Sequence, residues 1–159
     1  MKQLTLLLAL LYSLATEAQV TKVNFQASGL TCSMCSNAIN KSLKTLDFIA
    51  KIDADVKHSA FELTFKPNSD VDFDKIKNSV EDAGFSISSL FATLQFENTQ
   101  VGDQPIKVGF FSLLVVNSKS ATLNGETRVQ LLDKGFVSSK EFKQNSFPKS
   151  GERLYHVTL

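Results

Sequence analysis

Cys32 and Cys35 are the only cysteines in the chain, and they stand three residues apart in Gly29-Leu30-Thr31-Cys32-Ser33-Met34-Cys35. A helix opening in this stretch puts Cys35 in its first turn and Cys32 in the loop just before it. Both sulfurs can then converge on one ion from the same side. The free N–H groups and positive dipole end of a helix N-terminus lower a thiol's pKa and favour the thiolate, the form that binds metal. Two soft sulfur donors with no His or carboxylate beside them suit a soft ion of low coordination number, Cu(I) above all. Structural zinc takes four ligands, and the motif supplies two. Mercury(II), zinc or another soft metal remains open as cargo. Met34 offers a thioether between the two thiols, although a residue there more often points away.

The elements that must position this pair are legible on either side of it. Val23, Phe25 and Ala27 alternate with Lys22, Asn24 and Gln26 as a half-buried strand that Gly29 ends. Ile39, Leu43 and Leu46 form one stripe of a helix. A strand over residues 48–56 has Lys51, Asp53 and Asp55 on its polar face, and the next carries Phe61, Leu63 and Phe65 inward. Asp72 is a good N-cap for a second helix with Phe73, Ile76, Val80 and Ala83 on its apolar side, and Gly84 fits the left-handed position after it. Phe85 and Ile87 open a fourth strand. Strand, helix, strand, strand, helix, strand makes an α+β fold: a ferredoxin-like βαββαβ unit with both helices on one face of an antiparallel sheet.

Gly29-x-Thr31-Cys32-x-x-Cys35, the Ile39–Leu43 helix and the closing Ala83-Gly84-Phe85 turn together resemble the heavy-metal-associated domain over residues 20–91. This is the module of copper chaperones, of metal-ATPase N-terminal domains and of periplasmic mercury-binding proteins. The resemblance implies that Cys32 and Cys35 hold the ion and that Phe85 packs nearby without ligating it. It also implies exchange with a donor or acceptor protein such as a metal-transporting ATPase or another envelope metalloprotein. Leu30 stands where the family commonly has Met, a core-packing position.

Residues 1–18 read as a secretory signal: Lys2 at the start, an apolar run from Leu4 to Leu14, and small residues at Thr16 and Ala18 before Gln19. The apolar run is about half of the roughly 20 residues a membrane-spanning helix needs. The expectation is an exported, periplasmic or secreted chain, residues 19–91 forming the metal-binding domain, with no membrane span in the mature part. Residues 92–159 read as a small β-rich domain of no recognised family. There, residues 106–116 should be a strand buried on both faces, Asn124-Gly125 a hairpin turn, Ser138 to Glu141 a capping box, and Tyr155, Val157 and Leu159 one face of a last strand.

Seventeen Lys and Arg balance sixteen Asp and Glu to a net charge of +1, so no single-sign field points to nucleic acid. No nucleophile–base pair, phosphate loop or carboxylate dyad suggests an enzyme. His58 reads as a surface residue in a turn far from Cys32, and His156 as a strand residue. The rival readings are an envelope interaction or assembly module and a dithiol redox protein using the same cysteines, because thiols outside the cytoplasm tend to oxidise.

Overall fold

The computed structural model describes residues 18–30, 32–116, 120–145, 147 and 153–159. The expected export segment therefore lies almost wholly outside the described residues, as does Thr31. In chain order the elements are β1 (Gln19–Ser28), α1 (Ser33–Leu43), β2 (Ile49–Asp55), β3 (Ala60–Phe65), α2 (Phe73–Asp82), β4 (Ser86–Val101), β5 (Ile106–Val108), β6 (Phe111–Val115), β7 (Ala121–Leu131), α3 (Ser139–Gln144) and β8 (Leu154–Thr158). No helix among the described residues is long and apolar enough to cross a membrane.

The first six elements have the ferredoxin-like order. β2, β3, β1 and β4 lie side by side, with β1 antiparallel to both β3 and β4. Alternation does what it predicts: Val23, Phe25 and Ala27 of β1, and Phe61 and Leu63 of β3, are buried, and the rings of Phe25 and Phe61 stack at 5.0 Å. α1 buries Ile39 and Leu43 but stops there, so Leu46 packs on the core from the following turn. The Asp72 carboxylate accepts the Lys75 N–H at 3.0 Å and starts α2. At its other end Gly84, at φ 89°, donates to Glu81 O and Phe85 donates to Val80 O, the paired bonds of a Schellman turn.

The rest of the chain extends this same sheet. β4 runs on for 16 residues, so the boundary expected between residues 91 and 92 falls inside a strand. β7 pairs along β4, and the sheet continues through β8 and β6 to β5, giving eight strands in the order β2-β3-β1-β4-β7-β8-β6-β5. Two expectations are corrected here. Residues 106–116 are not one strand buried on both faces: Gly109, at φ 53°, and Phe110 turn the chain between β5 and β6, with Val108 opposite Phe111. The resulting hairpin alternates buried and half-buried positions along β6. Nor is Asn124-Gly125 a hairpin turn. It lies within β7, where Gly125 at φ 85° pairs with Phe96 beside an irregularity that skips from Phe96 to Thr99 on β4. A left-handed glycine serves a bulge as well as a turn, and the dipeptide alone does not choose between them. The Ser138 cap on Glu141 is present.

The C-terminal strands grip α2. Phe73 is fully buried between Phe111 (5.1 Å) and Tyr155 (5.3 Å). The Tyr155 hydroxyl donates to Asp74 at 2.8 Å, and Lys77 bonds the other Asp74 oxygen at 2.7 Å. Burial pushes the Asp74 carboxyl up, but the bonds from Lys77 and Tyr155 outweigh it and hold the group below the usual carboxylate range. A carboxyl whose folded pKa is depressed stabilises the fold above its unfolded pKa and stops doing so as pH falls through the folded value. Tyr155→Phe is therefore expected to cost about 1.5–3 kcal/mol near neutral pH, the range for a hydrogen bond to a charged group. The difference from wild type should shrink in acid, as urea melts at a series of pH values will show.

Candidate metal site

The local sequence around the cysteines has a mechanical reason for its shape. Gly29 sits at φ 83°, a conformation glycine adopts without strain, and turns the chain off the end of β1. Cys32 is then the N-cap of α1, in extended geometry, and its carbonyl accepts the N–H groups of Cys35 (3.1 Å) and Ser36 (3.3 Å). Ile39 and Leu43 pin the helix to the sheet below, which fixes where its first turn projects.

Neither cysteine is in a disulfide; Cys32 is exposed and Cys35 half-buried, with their sulfurs 2.7 Å apart. The Cys32 thiol is held below the ordinary cysteine range, first by the hydrogen bond from the Cys35 thiol, then by the N–H groups of Cys35 and Met34. The first turn of α1 carries no acidic residue to oppose this. The backbone donors were implicit in the three-residue spacing; that the Cys35 thiol acts first was not. Iodoacetamide is expected to label Cys32 before Cys35, with a pH midpoint below that of free cysteine. Cys35→Ala should move the midpoint back up; an unmoved midpoint would leave the Cys35 thiol no part in it.

Other residues singled out from the sequence fall into place around the loop. Met34 is 81% exposed and stands at the mouth of the site. Ser28 pairs with Ser86, which sets the Phe85 turn alongside the Gly29 turn, and Phe85 packs half-buried on the core. The turn carrying His58 is not remote: Ser59 Oγ donates to Leu30 O at 3.4 Å, and the Ala27 N–H donates to Ser59 O at 3.0 Å. His58 itself is exposed and bonds Asp55 at 2.7 Å. His156 is buried on β8, where its Nδ1–H donates to Asp133 at 2.8 Å and its ring stacks on Phe147. Among the described residues no three His, Cys, Asp or Glu side chains gather as a metal site. What the loop presents is two sulfurs at a helix N-terminus, a donor set for a soft ion of low coordination number.

Residues 24–86 match the family model of the heavy-metal-associated domain. This part of the chain is a heavy-metal-associated domain. The chain is 36% identical over 69 residues to "Probable copper-transporting ATPase HMA5" of Arabidopsis thaliana, covering 43% of this chain and 7% of that protein. It is 30% identical over 102 residues to "Copper-transporting ATPase RAN1" of the same plant, covering 64% of this chain and 10% of that one. The chain thus spans about a tenth or less of the curated relatives it matches. Among solved structures, the yeast copper transporter domain Ccc2a, studied in apo and Cu(I)-loaded states, is 33% identical. That likeness covers 42% of this chain and 90% of that one, at a TM-score of 0.38. The heavy-metal-associated domain accounts for most of β1 to the start of β4 and carries the thiol pair.

Proposed function

We propose that the chain is an exported carrier that captures Cu(I) through Cys32 and Cys35 and hands it to an acceptor with thiols of its own. Residues 1–18 are its export signal, and the mature protein works in the periplasm or outside the cell. It binds and delivers; it does not catalyse. The observation that supports this reading most is the convergence of two thiols, one with its pKa lowered, at a helix N-terminus where, among the described residues, no three His, Cys, Asp or Glu side chains gather. The similarity to copper-transporting ATPases favours copper as the ion and a copper-transporting ATPase as the class of partner.

Handover follows from the low coordination number. A two-sulfur site leaves an open side, so an incoming thiolate can bond to the ion before either resident sulfur lets go. The exposure of Cys32 supports access of such a thiolate from solvent. The reduced protein is expected to take up one Cu(I) per chain in an anaerobic titration against a Cu(I) chelator. A chain that takes none under those conditions is not a copper carrier. The second reading, a dithiol redox protein, rests on the same exposed low-pKa thiol. Copper retained through purification in reductant favours the carrier, and an oxidised pair that copper does not protect favours the redox protein.

A further inference from the structure

β2 is the last strand on its side of the sheet: among the described residues it pairs with β3 and with no strand on its other edge. An open edge is a row of unpaired N–H and C=O groups, a template for another strand. The register with β3 sets Lys51 opposite Thr64, Asp53 opposite Glu62 and Asp55 opposite Ala60, so these three share the face away from the helices. Ile52 lies opposite the buried Leu63 and faces the core side. Asp53 and Glu62 are like charges directly across a strand pair, an unfavourable arrangement. Lys22 and Asn24 meet Glu62 at 3.1 and 2.9 Å, while Asp53 has Lys51 at 2.7 Å. The Lys51 and Asp53 side chains are 69% and 50% exposed, open to a partner from outside.

We propose that two copies of this chain join edge to edge through β2, antiparallel about Ile52. In that register Lys51 of each copy lies opposite Asp53 of the other, and Ile52 meets its own counterpart. Directly opposed residues of antiparallel strands share a face. Both Lys–Asp pairs therefore form on the open face, and the two isoleucines meet on the core side. Sliding the register by one pair sets Lys51 against Lys51 in one direction and, in the other, Asp53 against Asp53 with Lys51 opposite Asp55; of the three, only the alignment about Ile52 pairs Lys51 and Asp53 with no like charges opposed. A lone edge lysine repels a second copy; a lysine followed two residues later by an aspartate is complementary to itself when reversed. The contact is isologous, with the two-fold axis at Ile52.

Two features limit its strength and set its geometry. The irregularity between Ile49 and Lys51 confines pairing to the middle of the strand, so the dimer is weak and concentration-dependent. β1 and β2 both run antiparallel to β3, so β2 leaves the sheet at the end where the cysteine loop sits. In the reversed copy that loop is at the opposite end, and the two thiol sites cannot share an ion. The association therefore requires neither metal nor free thiol.

Sedimentation equilibrium of the reduced, metal-free chain, from micromolar to millimolar concentration, tests this. The mass is expected to rise toward twice the monomer's. Lys51→Glu and Asp53→Lys, both at exposed positions and checked for fold by circular dichroism, should each weaken association by about tenfold or more. The double variant Lys51→Asp with Asp53→Lys, which restores complementarity with the signs exchanged, should recover it. A monomer mass throughout overturns the proposal. So does association that survives both single reversals, or that vanishes in Cys32→Ser.

Discussion

Cys32→Ser and Cys35→Ser are each expected to lower Cu(I) affinity by more than the roughly 10–100-fold that follows from disturbing a residue which merely orients a ligand. The chain has two cysteines in all, so the remaining thiol has no sulfur of its own kind to pair with. Serine offers a harder oxygen donor, a poor exchange for an ion that selects thiolate. The substitution at residue 32 is also mild for the fold. Cys32 is an N-cap whose side chain makes no capping bond, and serine is among the best residues at that position. Helix α1 should keep or gain stability in Cys32→Ser, so lost copper cannot be ascribed to a damaged helix. Chelator competition alongside a thermal melt separates the two effects. A single variant with wild-type affinity would mean that another donor completes the site, with Met34 the first to examine.

Phe73→Ala should be the most destabilising single change away from the site. The ring is fully buried at the start of α2, with Phe111 and Tyr155 of the C-terminal strands packed against it. Phe-to-Ala truncation in a core costs about 3–5 kcal/mol, part lost transfer energy and part the cavity left behind. For a chain of this size that lowers the melting midpoint by roughly 6–20 °C. Because Phe73 joins the N-terminal helices to β6 and β8, both parts of the chain should lose stability in one transition. Below the new midpoint Cu(I) stoichiometry should be unchanged, since α1 and the cysteine loop do not depend on this ring. Two separated melting transitions would show that the C-terminal strands fold apart from the rest.

The residues that build the cysteine loop were legible because every signal there is local. Alternation in β1, the glycine that ends it, the thiol spacing and the Ile39–Leu43 stripe all fall within 21 residues of one another. The Asp72 cap and the Gly84 turn are local in the same way. The second half of the chain is built on pairings that no window of sequence contains. β8 comes between β6 and β7, parallel to the first and antiparallel to the second. Gly109 and Gly125 both take positive φ, yet one makes a hairpin and the other lies within a strand, a difference set by the partner strand. His58 is the exposed turn residue it reads as, but its turn is not remote from the cysteines, for a related reason. The β2–β3 turn reaches the cysteine loop because β1 and β2 run the same way, a fact of topology that local pattern does not carry. His156 was read correctly as a strand residue, but Asp133, which fixes its ring, sits 23 residues earlier with nothing to mark it.

The reading of Cys32 and Cys35 as the whole ligand set is open to one direct measurement, X-ray absorption at the copper edge of the anaerobically loaded protein. The account predicts a first shell of sulfur alone, with no imidazole scattering, that disappears when both thiols are alkylated before loading. A nitrogen shell, pointing to His58 or His156, or a copper signal unchanged by alkylation, would contradict it.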